Sequence, residues 1–203
     1  MASKGVDAAL LALALVLAAC QGPAVDAGPA EEGAGAAVGS VAAASADAEQ
    51  ARPVMPRLAA ALPVPFGSSA AQLRRAWTGS LLAVAEPESE DACYYLLAQP
   101  SPREGFGRAF MFEGGRLVRM DVDDPRIEAP GGARVGLPAA ELAALYGQAL
   151  EQRPHKYVEQ ARYLRLAPQG QDGVLVLETD SQGRISQWRI GVPPQVDYVE
   201  GCS

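Results

Sequence analysis

Phe66-Gly67-Ser68-Ser69-Ala70-Ala71-Gln72-Leu73-Arg74-Arg75-Ala76-Trp77 has a second version in Val135-Gly136-Leu137-Pro138-Ala139-Ala140-Glu141-Leu142-Ala143-Ala144-Leu145-Tyr146, 69 residues later. The same offset carries Leu73 onto Leu142, Trp77 onto Tyr146 and Tyr94 onto Tyr163. Farther on, Phe112-Glu113 matches Leu177-Glu178 at an offset of 65, and Gly115-Arg116-Leu117 matches Gly183-Arg184-Ile185 at 68. Small changes of offset are insertions and deletions in loops. Self-similarity at a fixed period is the signature of a duplicated supersecondary unit.

Each copy begins as a helix. Ser69 followed three residues later by Gln72 has the form of a capping box, and Pro138 suits a first helical turn. Ala70, Leu73 and Trp77 share one helical face, as do Ala139, Leu142 and Tyr146. Strand-forming runs follow: Cys93-Tyr94-Tyr95-Leu96-Leu97 in the first copy and Tyr163-Leu164-Arg165-Leu166 in the second. Phe110-Met111-Phe112, Gly114-Gly115 and Leu117-Val118-Arg119-Met120-Asp121-Val122 read as a hairpin, because paired glycines permit the turn that matches strand twist. Leu175-Val176-Leu177 and Ile185 to Ile190, around the Thr179-to-Gly183 loop, repeat it. The expected fold class is α+β: two tandem units, residues 64–128 and 133–192, each a helix packed on a small antiparallel meander.

Before the repeat, the chain changes character. Lys4, the apolar run Ala8 to Leu17, and Leu17-Ala18-Ala19-Cys20 have the layout of a secretory signal, residues 1–19, ending in a cysteine. The apolar run is about half the ~20 residues that span a bilayer. Leu17 to Cys20 resembles the lipobox of bacterial lipoproteins. That resemblance implies lipidation of Cys20 by diacylglyceryl and N-acyl groups, a membrane partner through this anchor, and, with Gln21 next, transport to the outer membrane, on its periplasmic side. Residues 20–61 are rich in Ala, Gly and Pro, contain no aromatic residue, and carry five acids against two arginines. Such a segment buries too little apolar surface to offset its ordering entropy and is expected to be a disordered tether. Its r.m.s. reach is ~35 Å.

Residues 62–203 have the size of one ordinary domain. They hold 18 acids and 14 Lys and Arg in a mixed pattern. The whole chain of 203 residues carries −7, with no basic stripe, which argues against nucleic acid as a partner. Of three cysteines, Cys20 is assigned to lipid, leaving Cys93 and Cys202 as a candidate disulfide in an oxidising compartment.

A helix followed by an antiparallel meander in a small envelope lipoprotein resembles the BamE (SmpA/OmlA) family. Two such units in tandem are similar to the β-lactamase-inhibitory-protein fold. Both resemblances imply binding to a protein partner without catalysis, as an assembly factor or inhibitor. Reaction chemistry is also missing from the residues. His155 is the single histidine, and there is no Gly-x-Ser-x-Gly, Cys-x-x-Cys or phosphate-binding glycine loop. The acids Glu86, Glu88, Glu90 and Asp91, and Asp121, Asp123 and Asp124, lack calcium-loop spacing, so no metal or other cofactor is expected.

Strand alternation supplies a candidate binding face. Leu164 and Leu166, with Val118, Met120, Val122, Ser186, Trp188 and Ile190, are expected to face the helices. Tyr94, Tyr163, Arg119, Arg165, Gln187 and Arg189, with Asp121, then share the opposite face. Tyr and Arg are enriched at protein-binding hot spots. Aromatic rings beside hydrogen-bonding side chains also suit sugars, so a lectin-like envelope protein binding a glycan is the alternative.

Overall fold

A computed structural model describes residues 57–85, 87, 89, 91–147 and 150–202. The signal, Cys20 and the tether as far as residue 56 lie outside them.

The expectation of two tandem helix-on-meander units is overturned. All eight strands belong to one antiparallel sheet, and the described chain has only two short α-helices. The helices are α1 (Ala70–Ala76) and α2 (Leu142–Tyr146). The strands are β1 (Leu81–Ala83), β2 (Tyr94–Ala98), β3 (Arg108–Glu113), β4 (Arg116–Val122), β5 (Glu151–Pro154), β6 (Arg162–Leu166), β7 (Val174–Thr179) and β8 (Ile185–Gly191). Their order is β1-β2-β3-β4-β8-β7-β6-β5. The repeat therefore maps onto two halves of one sheet, joined where Met120 faces Ile190 and Asp121 faces Arg189. A four-stranded half exposes its last strand, and pairing β4 with β8 satisfies both of those edges at once. β1 and β5 carry no strand signal in the sequence and were not expected.

Local signals hold at the helix start and at the turn. Ser69 N–H donates to Gln72 Oε1 at 2.7 Å and Gln72 N–H donates to Ser69 Oγ at 3.3 Å, which completes the capping box. Gly114 and Gly115, both at positive φ, make the β3–β4 turn.

The helices and connecting loops cover one face of the sheet, the inner face. There Leu73, Leu96, Phe110, Phe112, Leu117, Met120, Leu142, Tyr146, Leu164, Leu166, Trp188 and Ile190 form one buried cluster. Leu58, on a single 3-10 turn (Leu58–Ala61), is also fully buried in it, and its N–H donates to Gln171 Oε1 at 2.9 Å. The folded domain thus begins ahead of residue 62, where the tether was expected to end.

Two β-bulges correct the expected face assignments. Pairing passes from Met111–Arg119 to Phe112–Leu117, leaving Val118 as the extra residue. It likewise passes from Glu178–Gln187 to Thr179–Ile185, leaving Ser186 extra. Beyond each bulge the parity reverses, so Leu117 and Ile185 join the core in place of Val118 and Ser186.

Candidate functional site

The outer face of the sheet is divided between a closed half and an open half. After β8, residues 192–202 fold back across β8, β4 and β7. Val192 N–H donates to Val118 O at 2.9 Å, and a 3-10 turn (Gln195–Asp197) follows. Val196 is fully buried against Val174 and Val176, with Tyr163 packed beside them. The Cys93–Cys202 disulfide pins the end of this tail beside the start of β2, with Cα atoms 5.3 Å apart.

Two arginines hold the tail from below. Arg119, 4% exposed, donates from Nη1 to the carbonyls of Tyr198 at 2.6 Å and Gln195 at 3.2 Å. Arg189, 2% exposed, donates from Nε to Val196 O at 2.6 Å. Buried guanidinium groups require anionic partners, and each has one. Arg119 Nε reaches both oxygens of Asp121, at 2.9 and 3.0 Å, and Arg189 pairs with Glu178. Burial alone would push the Glu178 carboxyl up, but the Arg189 charge and hydrogen bond, with Gln187 donating at 2.6 Å, hold it below the ordinary glutamate range.

His155 belongs to the same network. Its Nδ1 accepts from the N–H groups of Tyr157 and Val158, each at 3.1 Å, which places the proton on Nε2, 3.4 Å from Glu178 Oε2. The imidazole stacks on Tyr163 at a centroid distance of 4.5 Å. Both nitrogens are therefore engaged in structure.

The open part lies over β1 and the adjoining end of β2, since the outward Ala109 and Met111 of β3 are 4% and 0% exposed. A depression of about 360 Å³ is floored by Leu97, Ala109 and Phe106, and Val84 stands at its β1 rim. Its polar end is made by Tyr95, Asp121 and Gln187, and tail residues Val199 to Gly201 form the far wall. Tyr95 is raised to about 12, first by burial and then by the negative charge of Asp121. Leu82 and Val84 remain 58% and 63% exposed. A larger cavity of about 540 Å³ lies on the inner face by α2, lined by Ala139, Leu142, Leu150 and Leu164 among others.

The six face residues expected from alternation do not form an open surface together. Tyr94 is on the inner face, stacked on Phe112 at 5.3 Å and packed against the main core. The outer residue at the equivalent place is Tyr95, because the true offset to Tyr163 is 68, and a slip of one residue exchanges the faces. Arg119 and Arg189 are on the outer face but buried under the tail, with Arg189 Cζ 5.8 Å from the Tyr163 ring centroid. Arg165 is mostly buried beside Asp197, 3.1 Å from Nε to Oδ1. Gln187 bridges the two halves, bonded to Glu178 and lining the depression.

Sequence reasoning missed Tyr95, Glu178, Leu82 and Val84, and it anticipated a C-terminal tail pinned by the disulfide but not that the tail covers the sheet. The Arg119-x-Asp121 spacing was a usable signal, since charges two apart on a strand share a face and can pair. Among the described residues, no group of three or more His, Cys, Asp or Glu side chains is arranged to hold a metal ion. No helix among them is long and apolar enough to cross a membrane.

No family model matches the chain, and no curated protein matches it. Two solved structures are similar in part. One is an extracellular protein containing a SCP domain from Bacillus anthracis str. Ames, at 10% identity and TM-score 0.41, covering 63% of this chain and 44% of that one. The chain thus spans less than half the length of that structure. The other is the uncharacterized protein yfeY from Escherichia coli, at 13% identity and TM-score 0.40, covering 69% of this chain and 96% of that one.

Proposed function

We propose that this protein is a non-enzymatic lipoprotein of the cell envelope, anchored in the outer membrane through Cys20, whose domain binds a protein partner on the open half of its outer face. The observation that carries the reading is the contrast between the two halves. The tail and its disulfide seal the sheet over β8, β4 and β7, while Leu82 and Val84 are left exposed beside a depression with an apolar floor. Apolar side chains held on a rigid sheet beside a few polar groups suit protein recognition. The engagement of His155 on both nitrogens supports a non-catalytic role. The disulfide suits the oxidising side of the membrane that the Cys20 motif implies. The glycan alternative has no comparable support, because Tyr94 is packed into the core and Tyr163 lies under His155.

Placing a photo-crosslinking amino acid at Val84 in living cells tests the binding face, with Arg184 as the control position. A discrete protein adduct from Val84 and none from Arg184 is expected. No adduct, or the same adducts at both positions, would remove the proposal. Labelled palmitate incorporated by the native chain and not by Cys20→Ser tests the anchor.

A further inference from the structure

Two buried side-chain nitrogens among the described residues have no hydrogen-bond partner, Trp77 Nε1 and Arg108 Nε. Their side chains are in contact, with Arg108 Cζ 5.2 Å from the centroid of the Trp77 ring. A buried donor without an acceptor has lost its water and gained nothing in return, so native folds rarely leave one. Two together leave a place that an acceptor from outside the chain would complete.

Both side chains lie on the inner side of the sheet, away from the outer face. Trp77 closes α1, its N–H donating to Leu73 O at 2.9 Å, and its ring meets Phe110 edge-on at 5.2 Å. Arg108 opens β3 two residues before Phe110, so alternation gives it the inner face that Phe110 shares. Beside the pair is a pocket of about 200 Å³, walled by Ala98, Pro100, Pro102 and Ile127, with Asp124 also in its lining.

The charge left over in this pocket is positive. Asp124 is held by Arg126, from Nε to Oδ1 at 2.9 Å and from Nη2 to Oδ2 at 2.7 Å, so its charge is already matched. Asp123, next to it in the chain, accepts the N–H groups of Phe106 and Gly107 at 2.9 and 2.6 Å. The Arg108 side chain has neither a hydrogen bond nor an ion pair among the described residues. Burial pushes its pKa below the ordinary arginine value, and the Asp124 charge offsets this only in part. An anion beside the guanidinium would match the buried charge.

We infer that this pocket binds a monocarboxylate on a short aliphatic stem, the carboxylate accepting from Arg108 Nε–H and from the indole N–H of Trp77. The planar guanidinium presents Nε–H and one Nη–H side by side, at the spacing of two carboxylate oxygens. The stem meets Ala98, Ile127 and the two prolines. A dianion such as phosphate would set its second charge against Asp124. Both nitrogens are closed to solvent while the guanidinium lies against the indole, so the half-buried Arg108 side chain turns its Nε edge toward the pocket as the carboxylate enters. The carboxylate belongs either to a free short-chain acid or to the C-terminal residue of a peptide. This site is separate from the outer-face reading above and does not depend on it.

The test is an NMR titration of the purified, isotope-labelled full chain, read at the Trp77 indole N–H and the Arg108 Nε–H. The chain has two tryptophans, so the Trp77 resonance is identified by its loss in Trp77→Phe. Butyrate and the dipeptide acetyl-Ala-Val are added separately, with butyramide, the dipeptide amide and phosphate as controls. Saturable movement of both resonances with butyrate assigns a free acid, and movement with the dipeptide alone assigns a chain end. Neither amide should move them. No saturable movement with either carboxylate, the result if a water molecule bridges the two donors, overturns the site. An equal response to phosphate or to the amides overturns it as well.

Arg108→Lys keeps the charge and loses the fork, so it should weaken binding by about tenfold or more, the effect of losing a hydrogen bond to a charged group. Arg108→Gln should abolish binding. Unchanged affinity in Arg108→Lys, with a native amide spectrum, overturns the assignment to the guanidinium. The titration of the native chain against the amides decides the proposal even where Arg108→Gln does not fold.

Discussion

Arg119, in the middle of the sheet, donates a 2.6 Å hydrogen bond to the carbonyl of Tyr198, near the end of the chain. These residues are 79 apart in sequence, and their contact makes the tail part of the domain. Asp121 supports the guanidinium from the same strand. Beneath the tail the outer face thus combines buried ion pairs with the apolar cluster of Val174, Val176 and Val196, where the inner face is apolar throughout its buried cluster.

Replacing Arg119 with Met removes one partner of a buried ion pair and leaves the Asp121 charge and two tail carbonyls without their donor. Losses of this kind cost about 3–5 kcal/mol. Urea denaturation should show that decrease. The double substitution Arg119→Met with Asp121→Leu should regain a large part of it, because an apolar pair carries no desolvation penalty.

The disulfide joins residues 109 apart. The chain-entropy model gives ~4–5 kcal/mol for such a loop, an upper figure. Cys93→Ser with Cys202→Ser should lower the denaturation midpoint, and amide exchange should quicken first in residues 192–202. If exchange quickened evenly over the whole sheet, the disulfide would be stabilising the domain and not specifically the tail.

Gly191 lets the tail leave β8 at close range. A Cβ there would stand 2.9 Å from Val118 O and 3.1 Å from Val196 Cβ. Gly191→Ala must push Val196 off the sheet, at about 1–3 kcal/mol for an overpacked site. Thermal unfolding should register the loss, and Tyr198 N–H should lose exchange protection.

Asp124 carries a pH-dependent contribution. Side-chain and backbone hydrogen bonds from Arg126 hold its pKa at about 2. A carboxyl depressed in the folded state stabilises fully above its unfolded value of 3.8, and the contribution is lost as pH falls through about 2. Carbon-detected NMR titration should place the Asp124 midpoint there. Arg126→Ala should return it toward the ordinary aspartate range.

Local devices were legible. The Ser69 capping box, the Gly114-Gly115 turn and the inward placement of Leu164 and Leu166 each rest on residues close together in sequence. The candidate face was read less well, for two physical reasons. Alternation assigns faces only while the register is unbroken, and the bulges at Val118 and Ser186 reverse it. An offset of 69 in place of 68 moved Tyr94 to the wrong side, since a strand has a period of two residues.

Sequence by itself determined the repeat, the presence of a single histidine, the cysteine pair available for bonding, and the change in composition ahead of the folded domain. These are properties of composition and short spacing. Only the tertiary structure decided that the halves fuse through β4 and β8 into one sheet, that the tail turns Arg119 and Arg189 from surface into core, and that Leu82 and Val84 stay exposed. Those outcomes depend on which strand edges find each other across the chain, and alternation along one strand carries no record of its neighbour.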